Sequence, residues 1–126
     1  MFVHRLLFGL SAVYDGVLAL MFILFGPALF RFYQVTPPNH WGYILFPGLM
    51  LFIFSVMFFQ IAREPVKNRN LIPYGIMLKA AYCGCVFYYW ATSGIPGMWK
   101  PFAVYDFIFG ILFTVSYVQL GKIKNI

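Results

Sequence analysis

Charge is what this sequence most lacks. Only 10% of its 126 residues are Asp, Glu, Lys or Arg, and just three of those are acids. A soluble domain is about one quarter charged. At less than half that share, the chain has too little charge to clothe a water-facing surface. The shortage excludes an ordinary soluble enzyme. It also excludes a disordered chain, which combines high charge with low hydrophobicity. Cysteine is scarce as well, with two in all, so a small secreted domain built on disulfides is excluded. Cys83 and Cys85 lie two apart inside an apolar run, and a helix points such residues to roughly opposite faces. They neither bridge each other nor form a zinc pair there, and they read as small polarizable packing residues.

What the chain has in excess is apolar and aromatic mass, with 63% hydrophobic and 22% aromatic residues and a mean hydropathy of +0.83. The class this leaves is an integral membrane protein. Its length suits one domain, so residues 1–126 are read as a single transmembrane unit. The net charge of +6 comes from only nine Lys and Arg. No dense basic stripe with base-reading side chains is present, so no nucleic-acid partner is expected.

Four apolar runs approach the roughly 20 residues that cross a bilayer core. They predict helices over about 6–30, 41–62, 71–92 and 101–120. The first is too long for a signal-peptide core and lacks a small-residue cleavage site. Gly26-Pro27 is expected to bend or end it. Pro47-Gly48 is expected to kink the second helix about two turns in. Pro73 and Pro101 fall in first turns, where a missing N–H costs nothing, and Gly121 is read as the end of the fourth helix. The runs lack the alternation of a membrane barrel. Short connectors make consecutive helices antiparallel neighbours, so the fold class is all-α, an up-down-up-down four-helix bundle.

Lys and Arg set the orientation. Arg5, Arg63, Lys67, Arg69, Lys122 and Lys124 fall on one side, Arg31 and Lys100 on the other. This bias puts both termini and the Arg63–Asn70 loop in the cytoplasm. Trp41, Trp90 and Trp99 then gather toward the opposite face, as an aromatic belt would. In the basic loop, Arg63, Lys67 and Arg69 serve as topology determinants that touch anionic lipid head groups.

Three ionisable residues fall inside spans: Asp15, Lys79 and Asp106. Such residues are expensive in lipid and normally pair inside the bundle. Counting about 1.5 Å per residue, Asp15 and Lys79 each lie roughly 12–14 Å from the cytoplasmic ends of their helices, and Asp106 roughly 21 Å. Helices three and four are sequence neighbours, so Lys79–Asp106 is the favoured pair, with Asp15 joining it or taking Lys79 itself. If all three are charged, the cluster is net negative by one, which predicts a proton on one carboxyl. Ala12, Gly16 and Ala19 form a small-residue seam beside Asp15, a face where helix backbones approach closely. Lys79, Cys83, Val86 and Trp90 share a stripe of helix three and read as core lining. Ala12-Val13-Tyr14-Asp15 recurs as Ala103-Val104-Tyr105-Asp106, read here as a chance match in so skewed a composition.

No catalytic residue is assigned. His4 and His40 fall on opposite sides, and neither lies mid-span, so a bis-His haem inside the bundle is not expected. No metal site is expected either. Three acids and two terminal-side histidines build no hydrolase triad, phosphate loop or carboxylate pair. The chain alone is expected to hold no cofactor, although its aromatic residues leave a quinone or lipid pocket as an alternative.

The stretch Ala62-Arg63-Glu64-Pro65 through Phe113 resembles the DoxX-like group of small four-helix bacterial membrane proteins, and most of all its BphX-like branch. The shared features are the A-R-x-P loop, Lys79 in helix three, the Gly94-Ile95-Pro96 turn, and Asp106 followed by an aromatic-rich run. Phe25-Gly26-Pro27 at the end of helix one also fits. Glu64 stands where the loop motif has Asp. The resemblance implies the four-helix fold and the Lys79–Asp106 pairing. DoxX is named for a small subunit of a membrane thiosulfate:quinone oxidoreductase and terminal-oxidase system, and BphX-like members accompany aromatic-degradation genes. The resulting expectation is a non-catalytic accessory subunit of an inner-membrane redox or oxygenase complex, in contact with lipids and other integral membrane subunits. The alternative is a small binding or transport protein for a quinone or hydrophobic metabolite, using the Asp/Lys/Asp cluster.

Overall fold

The computed structural model describes residues 1–124. It contains four long helices: α1 (Phe2–Phe32), α2 (Gly42–Arg63), α3 (Ile72–Ala91) and α4 (Lys100–Lys124). Single 3-10 turns at Arg69–Leu71 and Gly97–Trp99 lead into α3 and α4. All four helices are long and apolar enough to cross a membrane. They pack as two antiparallel hairpins, α1–α2 and α3–α4, tight within each hairpin and touching far less between them.

Prolines shape the helices unequally. α1 is broken at Phe25, whose φ of −127° and ψ of 22° are not helical. The cause is Pro27, whose ring crowds the carbonyl four residues back and whose nitrogen donates no hydrogen bond. Pro47, expected to kink α2, lies inside one continuous helix from Gly42 to Arg63. Gly48 beside it is a close crossing, because a Cβ there would sit 3.1 Å from Ile23 Cγ1 of α1. Pro73 opens α3 as expected.

Gly121 does not end α4, which runs on to Lys124. Its purpose is a side-chain crossing: a Cβ at Gly121 would fall 2.5 Å from Arg69 Nη2. Arg69 Nε donates to the Tyr117 carbonyl at 2.8 Å, and its guanidinium stacks 3.8 Å over the Tyr117 ring. Arg69 therefore ties the loop to α4 instead of standing free beside lipid head groups. Arg63 and Lys67 are exposed, and Lys67 sits 3.4 Å from Glu64.

At the end of the bundle that carries this loop, Phe8, Phe58 and Phe113 are fully buried. Phe8 stacks on Phe113 at 4.7 Å between ring centroids, and Phe58 lies 5.1 Å from Phe113. Ala12, Ile61, Ile72 and Leu120 complete this cluster. At the other end Phe30 contacts Trp41 and Trp99, with centroids at 5.1 and 5.9 Å. Trp90, expected in the core stripe with Lys79, Cys83 and Val86, is instead exposed. Its ring lies 4.7 Å from Lys100 Nζ. The last turn of α3 points it outward, where an indole can sit at a membrane interface.

Gly75 is where α3 comes closest to this apolar cluster. A Cβ there would lie 2.5 Å from Phe58 Cε1. Gly75→Ala is expected to cost about 1–3 kcal/mol, because the buried Phe58 ring has nowhere to move. Gly84→Ala on the same helix meets nothing within 4 Å and is expected to gain about 0.5–1 kcal/mol of helix stability. Thermal unfolding in mild detergent reads both. Equal melting temperatures for the two variants would contradict this packing.

Candidate functional site: a buried Asp–Lys–Asp cluster under an apolar cleft

Lys79 of α3 is 1% exposed, Asp15 of α1 is 1% exposed and Asp106 of α4 is 9% exposed. The structure brings all three together. Lys79 Nζ donates to both oxygens of Asp15, at 2.9 Å to Oδ1 and 2.8 Å to Oδ2, and to Asp106 Oδ1 at 3.1 Å. The favoured sequence pair, Lys79–Asp106, is thus the longer and less enclosed of the two. The main partner is Asp15, because it lies at nearly the same depth as Lys79 while Asp106 sits higher on α4. An ammonium has three N–H donors, and these contacts engage all three. The rings of Phe58 and Phe109 also face the ammonium, each centroid 5.5 Å away.

The seam of Ala12, Gly16 and Ala19 faces α2. Ser55 Oγ donates to the Ala12 carbonyl at 2.6 Å, and a Cβ on Gly16 would meet the same Ser55 Oγ at 2.8 Å. The seam draws α1 onto α2, while Asp15, one step around the helix, reaches across to α3.

The repeated tetrapeptide is not idle. Asp15 and Asp106 share Lys79. Tyr14 and Tyr105 meet edge to face at 6.0 Å. The Ala12 carbonyl accepts from Ser55 of the neighbouring helix, and the Ala103 carbonyl accepts from Cys83 Sγ at 3.2 Å. Each copy therefore places an acid on the same cation and an alanine under a neighbouring side chain. Cys83 is buried and Cys85 exposed, on opposite sides of α3.

Above the cluster lies a cleft of about 410 Å³. All four helices contribute to it. Asp15 and Asp106 form its polar floor; Phe22, Phe54, Tyr82, Trp99 and Phe102 supply aromatic wall. Phe46 and Met50, both exposed, mark its open side. Tyr82 does not offer its hydroxyl proton to the cleft, since it donates to the Trp99 carbonyl at 2.9 Å. A more open recess between α3 and α4, about 370 Å³, also borders Lys79 and Asp106. On the opposite side of the cluster, Phe8, Phe58 and Phe113 form a plug toward the end where α1 begins. Beyond that plug His4 Nδ1 and Ser116 Oγ share a buried 2.6 Å hydrogen bond. Toward that end the cluster is sealed.

With this geometry goes a distant likeness to a redox protein. Over 108 residues, 81% of this chain, it is 25% identical to a subunit of the dihydromethanophenazine:CoB–CoM heterodisulfide reductase of Methanosarcina barkeri (strain Fusaro). The chain is similar to a reductase subunit. It spans 41% of that subunit's length. No family model matches the chain, so the DoxX-like resemblance stands on its quoted motifs. No solved structure matches it.

Sequence reasoning singled out the acids and the lysine and left an aromatic-lined pocket as an alternative, but it did not say which residues wall that pocket and missed the His4–Ser116 bond. One signal for the latter was present. His4 opens α1 and Ser116 lies near the close of α4, at one end of an up-down-up-down bundle. Which residues wall the cleft was not legible, because they are the same Phe, Leu and Met that elsewhere face outward.

Proposed function

We propose that the chain is a non-catalytic accessory subunit of a membrane redox assembly, held in one register by the Asp15–Lys79–Asp106 cluster. The observation that carries this reading is the similarity to a reductase subunit over most of the chain. The cluster supports it, since a lysine with every donor engaged and two carboxylates around it serves well as a fixed internal strut. In some proteins a small polar or ionic core of this kind specifies one packing. The outer surface supports it too. Val104, Phe107, Ile108, Ile111 and Val115 of α4 are exposed, an apolar face suited to lipids or to the helices of other subunits. The cation bias orients the termini and the Arg63–Asn70 loop toward the cytoplasm. In this reading, which follows the DoxX-like motifs, the host is the cytoplasmic membrane of a bacterium.

The test is native mass spectrometry of the protein drawn from its own membranes in mild detergent. A stoichiometric assembly with a subunit that binds a redox centre is the expected result. A monomer or small homo-oligomer would overturn the reading.

The cleft favours a second reading, a binding protein for a membrane-soluble molecule. Its volume falls within the roughly 300–1,000 Å³ of small-molecule sites, and its walls are apolar with a few convergent polar groups. A quinone or another hydrophobic metabolite entering from the lipid phase is the form this reading takes.

A further inference from the structure

The chemistry of the cleft floor is one-sided. Lys79 contributes the only positive charge of the cluster, and its three donors are turned to the carboxylates. Lys79 does not line the cleft; Asp15 and Asp106 do. Both Asp15 oxygens accept from Lys79, whereas only Oδ1 of Asp106 does. Among the described residues no donor reaches Asp106 Oδ2. Asp106, nine-tenths buried, borders both the cleft and the recess between α3 and α4 and has one oxygen left as a free acceptor there. Two ionised carboxylates and one ammonium would leave one negative charge uncompensated at a site walled by hydrocarbon. In such low-dielectric surroundings an unpaired charge is costly. In the empty cleft one carboxyl is therefore expected to hold a proton, and a bound cation takes that proton's place.

Each ligand class meets this floor differently. An anion is repelled. A quinone brings carbonyl oxygens, which accept a hydrogen bond from a protonated carboxyl but do nothing for an ionised one. A neutral hydroxyl compound satisfies the hydrogen bond and leaves the charge. A protonated amine satisfies both and a quaternary cation satisfies the charge, and the aromatic walls add to the attraction of either, since the faces of Trp, Tyr and Phe draw positive charge.

We propose that the cleft binds an apolar organic cation entering from the lipid phase, with its positive centre against Asp106 Oδ2 and its hydrophobic body among Phe22, Phe54, Trp99 and Phe102. The proposal rests on the second, ligand-binding reading above and gives that reading a ligand class. Asp15 and Lys79 act as positioning residues: Lys79 holds Asp106 by one oxygen and leaves the other free.

The test uses the full chain purified in mild detergent and two ions of nearly the same shape and opposite charge, tetraphenylphosphonium and tetraphenylborate. Binding is read by equilibrium dialysis against protein-free micelles. The phosphonium is expected to bind at least tenfold more tightly than the borate. Asp106→Asn is expected to weaken it at least tenfold. Met50→Trp, which narrows the open side without touching a charge, is expected to weaken it similarly and keeps the test decisive should Asp106→Asn fail to fold. Equal binding of the two ions, a preference for the borate, or undiminished phosphonium binding by folded Asp106→Asn would overturn the proposal. Decylubiquinone is run in parallel. If it binds where the phosphonium does not, the cation class is wrong and the ligand-binding reading survives. If neither binds, both fall.

Discussion

Lys79→Met is expected to destabilise the protein by about 3–5 kcal/mol, the usual cost of removing one partner from a buried ion pair. The loss arises less from the missing contacts than from the two carboxylates left behind. Asp15 is the more costly of these, being 1% exposed and bound through both oxygens. The second-site variants should therefore rank unequally. Lys79→Met with Asp15→Leu should recover most of the lost stability, since the remaining Asp106 borders the cleft. Lys79→Met with Asp106→Leu should recover less, because it strands Asp15. Thermal or denaturant unfolding in detergent gives the order. The reverse ranking would mean that Asp106, not Asp15, is the principal partner. If the proposed redox assembly turned over normally with a well-folded double variant, any proton-carrying role for the cluster would be gone.

Phe8→Ala is expected to cost about 3 kcal/mol, the lower end of the range for a buried phenylalanine. In lipid the transfer part of that range shrinks, because hydrocarbon solvates the ring nearly as well as the bundle does. The packing part remains. Phe8 is fully buried, stacked on Phe113 and 6.4 Å from Phe58, and its removal leaves those rings without a neighbour. Phe59→Ala on α2 is the matched control, since Phe59 is 55% exposed. It should stay within about 0.5 kcal/mol of the parent. Similar losses for both would mean that the three-ring plug does not hold the bundle together.

The helices were legible because lipid demands long apolar runs, and those runs carry few polar interruptions. Depth along a helix was legible too, since it follows from counting residues. That count alone put Asp15 level with Lys79; adjacency in sequence pointed to Asp106 instead, and depth proved the better guide. Which faces meet was not legible. Helix rotation in a bundle this uniformly apolar leaves little pattern, so the seam's contact with Ser55 and the outward turn of Trp90 emerge only in three dimensions. Gly121 shows the same limit. A glycine late in a helix reads as a stop, yet here it makes room for Arg69 from the loop before α3, which no local rule reveals. The repeated Ala-Val-Tyr-Asp was visible at once, but its meaning depended on both copies facing one lysine.

The division into two hairpins has a consequence for how the protein is made. A ribosome delivers α1 and α2 first, and with them Asp15, the only acid on that hairpin's spans. Until α3 arrives, that carboxylate has no cation to meet inside the bilayer. The second hairpin carries Lys79 and Asp106 together, so it enters with its charges already matched. Of the two, the earlier hairpin is the unfinished one. Its acid meets a lysine that is synthesised 64 residues later, so this pair forms only once both hairpins are present.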